Sequence, residues 1–270
     1  MNVQALGVVL HPTSPTARLA FEQLKQIAPA RGLRVVDRES EPVDMIIALG
    51  GDGTMLRAAR EATARGIPLL GVNLGRMGFL SSAEAANLEP AIDALVAGDY
   101  TLEFRMMLDG VATLDGDPLV SAIALNEIVV EKGTPSRVIE VDVSVGRDEL
   151  ARYTADGFIV ATSTGSTAYS LSAGGPVVEP DLDVMVLTPV CPHSLRWRSM
   201  VVGPHLPVVV TLVEGGGALS ADGQPVALLP DGTTVTVRPH ADRLRLVRLR
   251  DNDFFARFRS RFGPGSYRDR

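Results

Sequence analysis

A chain of 270 residues that is 46% hydrophobic and 21% charged can bury one large core or two of ordinary size. Its net charge of −6 argues against nucleic acid or an anionic membrane surface as the main partner, so an anionic ligand must be held by local donors. The lone Cys191 excludes an internal disulfide, the first ten residues lack the basic start and cleavage site of a signal peptide, and no apolar run reaches membrane-spanning length; a cytoplasmic protein is expected.

Strand and helix signals alternate over the first hundred residues. Leu6–Leu10 reads as a strand. Thr16–Ala28 reads as a helix whose apolar side is Ala17, Ala20, Leu24 and Ile27 or Ala28. Leu33–Val36 and Met45–Leu49 read as strands, Thr54–Arg65 as a helix closed by Gly66, and Pro68–Val72 as a fourth strand. This alternation predicts a parallel sheet with helices packed on it, and ligands in such sheets lie beyond the carboxyl ends of the strands.

One of those ends carries Gly50-Gly51-Asp52-Gly53-Thr54. Glycines between a strand and a helix let backbone N–H groups approach a phosphate, and the helix start favours negative charge there. Asp52 sits in the middle of that loop. A carboxylate beside a bound phosphate costs Coulomb energy, so its presence predicts work on a hydroxyl or a metal during phosphoryl transfer. The chain has neither the G-x-x-x-x-G-K-[ST] run of P-loop proteins nor a G-x-G-x-x-G run opening a helix.

From about residue 102 the texture changes. Short β-branched runs appear at Ile123–Val130, Val138–Val145, Phe158–Ala161, Val184–Leu187, Val208–Val213 and Thr233–Val237, separated by turns such as Asp115-Gly116-Asp117-Pro118. These predict a sandwich-like, all-β domain. Within the first run Asn126-Glu127 interrupts an apolar strand, with the two side chains on opposite faces. A buried carboxylate needs a donor, either a ligand's ribose diol or an internal lysine or arginine. Five of the six residues from Thr162 to Thr167 carry hydroxyls, which suit ribose, base edge or phosphate, or else a polar connecting loop. Asp222-Gly223-Gln224 is first of all a turn signal. Cys191-Pro192-His193 lacks the further ligands of a metal site.

Near the end, Leu244–Arg250 alternates like a strand with one wet face. Phe254, Phe258 and Phe262 then recur at helical spacing among Arg257, Arg259 and Arg261. The reading is a helix docked through its phenylalanines with solvated arginines; a phosphate-binding arginine face is the lesser alternative.

Taken together, Gly50–Thr54, Gly71-Val72-Asn73-Leu74-Gly75-Arg76-Met77-Gly78-Phe79-Leu80, Leu125-Asn126-Glu127, Asp156–Ser172 and Asp222-Gly223-Gln224 resemble the NAD kinase family, in the family's order and over roughly residues 45 to 250. The run Thr164–Pro176 is the most specific part. Ser163 departs from the proline of many members, which should alter loop stiffness more than chemistry. The resemblance implies a Rossmann-like N-terminal α/β domain (1–100) and a β-rich, sandwich-like NAD-binding domain (101–249). It also implies a chain end, about 250–270, that returns to the first domain, and an active site between the two.

The implied reaction moves the γ-phosphoryl group of ATP, carried with a divalent cation such as Mg²⁺, to the adenosine ribose 2′-hydroxyl of NAD. Asp52 matches the family's base, and Gly50, Gly51, Gly53 and Thr54 would face the ATP phosphates. Asp52, Gly53, Asn126, Glu127, Asp156, Thr167, Ala168, Tyr169, Ser170, Leu171 and Ser172 match residues that hold NAD, with Gln224 a looser match and Arg57 and Arg137 weaker ones. No metal ligands are assigned. Homo-oligomers, dimers or tetramers, are implied as well. The alternatives are a lipid kinase of the diacylglycerol or sphingosine type, which shares the G-G-D-G-T loop, and a non-catalytic NAD(P) sensor.

Overall fold

The computed structural model describes residues 3–75, 78–135, 137–194, 196–249 and 254–262. Arg76, Met77 and Arg250, and the stretches 251–253 and 263–270 of the expected returning chain end, lie outside the described residues. The chain divides into two compact units, Met1–Phe104 with Leu244–Arg270, and Arg105–Arg243.

The first unit is built on a seven-stranded sheet. Arg34–Val35, Ala5–Leu10, Met45–Gly50 and Leu69–Asn73 run parallel in that spatial order, followed by Leu244–Arg248 and Thr101–Arg105. Ala83–Glu84 pairs at the end of Leu69–Asn73. All six residues of Met45–Gly50 are buried, as a central parallel strand covered on both faces requires. The first helix, Pro15–Ile27, starts where Ser14 accepts the Ala17 N–H at 3.2 Å with proline in the first turn, and it buries Ala17, Ala20 and Leu24. The second helix begins at Asp52 rather than Thr54, because Gly51 adopts the extended N-cap conformation; it ends at Gly66 in a left-handed conformation. A third helix, Leu88–Ala97, closes the core with Leu88, Ala91, Ile92 and Leu95.

The strand Leu244–Arg248 belongs to this sheet, where the sequence reading had put it at the end of the β-rich domain. Leu246 pairs with Leu69, and Leu244, Leu246 and Val247 are buried. Nor does it keep a wet face: Arg245 is exposed, but Arg248 is 3% exposed. Its Nε meets Glu103 Oε2 at 2.6 Å, and its Nη atoms donate to the carbonyls of Phe79 and Ser81 at 3.3 Å each. Alternation reads arginine as solvated, whereas a carboxylate and two carbonyls satisfy this one inside.

The second unit is a sandwich of two six-stranded sheets. One sheet orders Asp148–Ala155, Ile139–Val145, Val208–Glu214, Thr234–Pro239, Leu108–Leu114 and Asp117–Ala124. The other orders Met200–Val202, Met185–Val190, Gly157–Thr162, Glu127–Lys132, Gly217–Ala221 and Gln224–Leu229. Their inner faces meet in one core, with Val141, Val143, Val210, Leu212 and Val235 from the first and Ile128, Val130, Phe158, Val160 and Leu187 from the second. The strands of the first sheet alternate buried and half-buried residues, but Gly157–Thr162 and Met185–Val190 are buried throughout. Val178 and its neighbours cover their outer face with Val129, Ile159, Ala161 and Val186.

The run expected as one strand, Ile123–Val130, is two. Asp117–Ala124 and Glu127–Lys132 lie in different sheets, and the chain turns between them at Leu125-Asn126.

The buried Arg248–Glu103 pair generates a test. Arg248→Met takes the guanidinium from a carboxylate inside the fold and should lower stability to urea by about 3 kcal/mol, the cost of breaking such a pair from one side. A loss of stability of less than about 0.5 kcal/mol, the range of surface substitutions, would contradict it.

Candidate active site

In the first unit the carboxyl ends of Met45–Gly50 and Leu69–Asn73 stand side by side, Gly50 in register with Asn73. The helix that starts there leaves the N–H groups of Asp52 and Gly53 without an intrahelical acceptor, while that of Thr54 donates to the Gly51 carbonyl at 2.9 Å. Gly51 and Gly53 are exposed, and a Cβ on either would meet nothing within 4 Å, so a ligand can reach this backbone unobstructed. Three buried polar atoms of this unit have no hydrogen-bond partner among the described residues: Thr54 Oγ1, Asn73 Nδ2 and Ser81 Oγ. Each of these residues is at most 4% exposed. Buried polar groups are normally paired; Thr54 packs against Gly50, with which Asn73 is in register, so two of these atoms lie at the strand ends, whereas Ser81 lies back along the strand against Gly71. Asn73 also accepts the Gly75 N–H through Oδ1 at 3.3 Å, which leaves its amide nitrogen directed elsewhere.

Asp52 stands in the first turn with its side chain half exposed. Its Oδ1 lies against the backbone of Gly78, where any Cβ would collide with it. Its Oδ2 lies 3.8 Å from Arg261 Nη1. The loop at Gly78 is itself held: Arg257 Nη1 donates to the carbonyls of Gly78, Phe79 and Ser81 at 3.5, 3.3 and 2.8 Å. Arg57 is exposed and donates to the Leu10 carbonyl at 2.9 Å, which ties this helix to the first strand's end.

In the second unit Asp222 organises the turn at Leu125-Asn126. Its carboxylate accepts the N–H groups of Leu125 (3.0 Å), Asn126 (2.7 Å) and Glu127 (3.4 Å). The Asn126 carbonyl accepts the Thr162 N–H at 2.8 Å, and Gly165 packs so closely on it that a Cβ could not fit. Asn126 is thus fixed from both sides. Glu127 is 4% exposed, and its Oε2 has no hydrogen-bond partner among the described residues. Burial, then the charge of Asp222, push its carboxyl from 4.5 up to about 8, against a smaller opposite pull from the Tyr169 N–H. The internal cation that the sequence left open is not what offsets its burial. A cleft of about 390 Å³ opens beside it, lined by Glu127, Val129, Glu131, Tyr169, Ser220 and Pro225 with Gly223. Tyr169 is 40% exposed there, its phenol pushed up by burial and by the charge of Glu131.

Most of the hydroxyls after Gly157–Thr162 turn inward. Thr162 Oγ1 donates to the Leu125 carbonyl at 2.6 Å and accepts the Gly165 N–H at 3.0 Å. Ser166 Oγ lies 2.7 Å from the Ser163 carbonyl and 3.1 Å from that of Val178, and accepts the Val178 N–H at 3.0 Å. Ser170 is fully buried against Thr188 Oγ1 at 2.9 Å. Thr164 Oγ1 stays buried and without a partner among the described residues. These side chains shape the loop. The groups left facing outward are the half-buried Thr167, Ala168 and Leu171 and the exposed Tyr169 and Ser172.

Asp156 pairs with Lys132 at 2.8 Å, Gln224 is exposed at the start of its strand, and Arg137 is exposed on the loop before Ile139–Val145. Sequence reasoning assigned no site role to Asn73 or Asp222, and gave Arg261 only a share in the lesser phosphate-binding alternative. A polar residue closing the apolar run Leu69–Asn73 was the available signal for the first. The other two are contacts across 96 and 209 positions, which no local pattern announces.

Known proteins match the chain along both of its parts. The family model of the ATP-NAD kinase N-terminal domain matches residues 21–100, and that of the ATP-NAD kinase C-terminal domain matches residues 125–249. An NAD kinase of Symbiobacterium thermophilum is 47% identical over 94% of this chain and 88% of its own length. A crystal structure of an NAD kinase from Archaeoglobus fulgidus in complex with ATP superposes with a TM-score of 0.79 at 29% identity, over 95% of this chain and 99% of that one. A yeast NADH kinase complexed with NADH shares the fold, with a TM-score of 0.88 at 24% identity over 98% and 89% of the two chains. Matches to both domain models leave the lipid-kinase alternative without support. By sequence along both of its parts, the chain belongs to the NAD kinase family.

Proposed function

We propose that the chain transfers the γ-phosphoryl group of ATP to the 2′-hydroxyl of the adenosine ribose of NAD, with Asp52 as the base. The observation that carries this is a carboxylate in the first turn of an open, glycine-flanked helix at strand ends where Thr54 Oγ1 and Asn73 Nδ2 are buried without partners among the described residues. The N–H groups of Gly51 to Gly53 suit the triphosphate, with Thr54 and Asn73 beside them. Asp52 orients the 2′-hydroxyl and takes its proton as the O–P bond forms and the bond to the ADP leaving group breaks. In a loose transition state positioning matters more than basicity, which fits a half-exposed carboxylate beside an arginine. The divalent cation travels on the ATP phosphates as part of that substrate. Among the described residues no three of His, Cys, Asp and Glu converge to hold it.

Asn126, Glu127, Tyr169 and Ser172 hold the dinucleotide, and Asp222 keeps the first two in place. The Glu127 carboxyl meets a ribose diol of NAD. Hydroxyl donors favour the ionised carboxylate, so NAD binding lowers the affinity of Glu127 for its proton. The working form is a homo-oligomer. The edge strand Met200–Val202 supports this, with Met200 43% and Val201 47% exposed. The exposed, free Cys191 supports a reducing, cytoplasmic location, and no helix among the described residues is long and apolar enough to cross a membrane.

Asp52→Asn should reduce kcat by ~10²–10⁴-fold while NAD still binds, as measured by steady-state kinetics and calorimetry; undiminished turnover would dismiss the base and favour a different acceptor geometry. NAD lacking its adenosine 2′-hydroxyl should yield no phosphorylated product, and a product detected by mass spectrometry would move the acceptor elsewhere. For Glu127 the sign follows from its raised pKa. The ligand-free fold keeps a proton that the unfolded chain releases above 4.5, so this group's contribution to stability is full below 4.5 and is lost as pH rises through about 8. Thermal unfolding of Glu127→Gln should therefore gain on the parent as pH rises from about 5 to about 8. Parallel curves for the two proteins would show that Glu127 does not titrate as described.

A further inference from the structure

The terminal helix Phe254–Phe262 reaches the same carboxylate from the other direction. Phe254 is buried, and the Phe79 ring lies 5.8 Å from that of Phe254 and 6.3 Å from that of Phe262. Arg257 is fastened to three carbonyls of the 78–81 segment. One turn on, on the same helical face, Arg261 lays its guanidinium over the Phe79 ring, 5.6 Å from the centroid, with Nη1 3.8 Å from Asp52 Oδ2. Rings and carbonyls thus place one half-exposed cation beside the proposed base.

We propose that Arg261 is a second catalytic residue, the cation that faces the transferring phosphoryl group. The idea rests on the reading of Asp52 as base. A carboxylate within hydrogen-bond reach of the 2′-hydroxyl puts a guanidinium 3.8 Å away within reach of the phosphoryl group that this hydroxyl attacks. In the step, the 2′-oxygen forms its bond to phosphorus, the bond to the β-phosphate oxygen breaks with its electron pair leaving on ADP, and the hydroxyl proton passes to Asp52. Protonation removes the charge that had held Arg261. Its planar fork then turns to the equatorial oxygens of the phosphoryl group, which gather negative charge at that moment. A residue that only latched the helix would gain nothing from this change of partner. The arginine-bearing face that the sequence offered as a lesser phosphate-binding alternative is, at position 261, turned toward the chemistry.

The test uses the full chain with ATP, Mg²⁺ and NAD. Arg261→Ala should lower kcat on the order of 10²–10³-fold, as loss of one transition-state donor does, with little change in the KM for NAD. Added guanidinium ion should restore part of that rate in Arg261→Ala and none in Asp52→Asn. Arg261→Lys, which keeps charge without the fork, should fall between Arg261→Ala and the parent. Parental kcat in Arg261→Ala overturns the proposal. So does a loss that appears as KM for NAD, or one that neither guanidinium nor lysine reduces; melting curves of both variants report whether the helix still docks. Full activity of Asp52→Asn would instead overturn the base assignment, and it is read on a separate variant.

Discussion

The contact between the carboxylate of Asp52 and the bare backbone of Gly78 is the constraint on which the first unit's site depends. Asp52 is set in place by the extended Gly51 and the first turn of its helix. Gly78 must come close enough that no side chain fits. Neither condition is local. The 78–81 segment is drawn in by Arg248, on a strand from the far end of the chain, and by Arg257, on the helix after it. Arginine suits both places because its several donors can serve several carbonyls from one planar head. Leu244–Arg248 and Phe254–Phe262 therefore complete the first unit.

The second unit solves a parallel problem with the opposite charge. A turn that leaves one sheet for another exposes N–H groups that neither ladder can pair. Asp222 accepts three of them in a row, and the turn carries Asn126 and Glu127 out of the strand pattern at a defined angle. The same carboxylate helps to keep Glu127 protonated when nothing is bound. A single acidic side chain thus sets the geometry of this turn and adds to burial in raising the Glu127 carboxyl.

Much of this was readable in the sequence wherever a periodic pattern met a fixed physical demand. The parallel sheet followed from alternating strand and helix signals, the sandwich from short strands with Asp-Gly turns, and the open helix start from glycines between a strand and a helix. What escaped depended on partners distant in the chain. Asn126-Glu127 looked like a strand interior because the clamp from Asp222 lies 96 residues on. Arg248 looked solvated because its carboxylate, Glu103, lies 145 residues back. The hydroxyls of Ser166 and Ser170 looked available to a ligand, yet they satisfy carbonyls, an N–H and Thr188 inside the fold. Composition counts donors and acceptors but does not say which way they turn.

The central claim is that Asp52 acts on a sugar oxygen of the dinucleotide, and a crystal structure with NAD and a non-hydrolysable ATP analogue tests it most directly. The account predicts an Asp52 oxygen about 2.6–3.2 Å from the adenosine 2′-oxygen, or joined to it by one water. An Asp52 side chain turned to bulk solvent, more than ~10 Å from any nucleotide atom and far outside that reach, would contradict it.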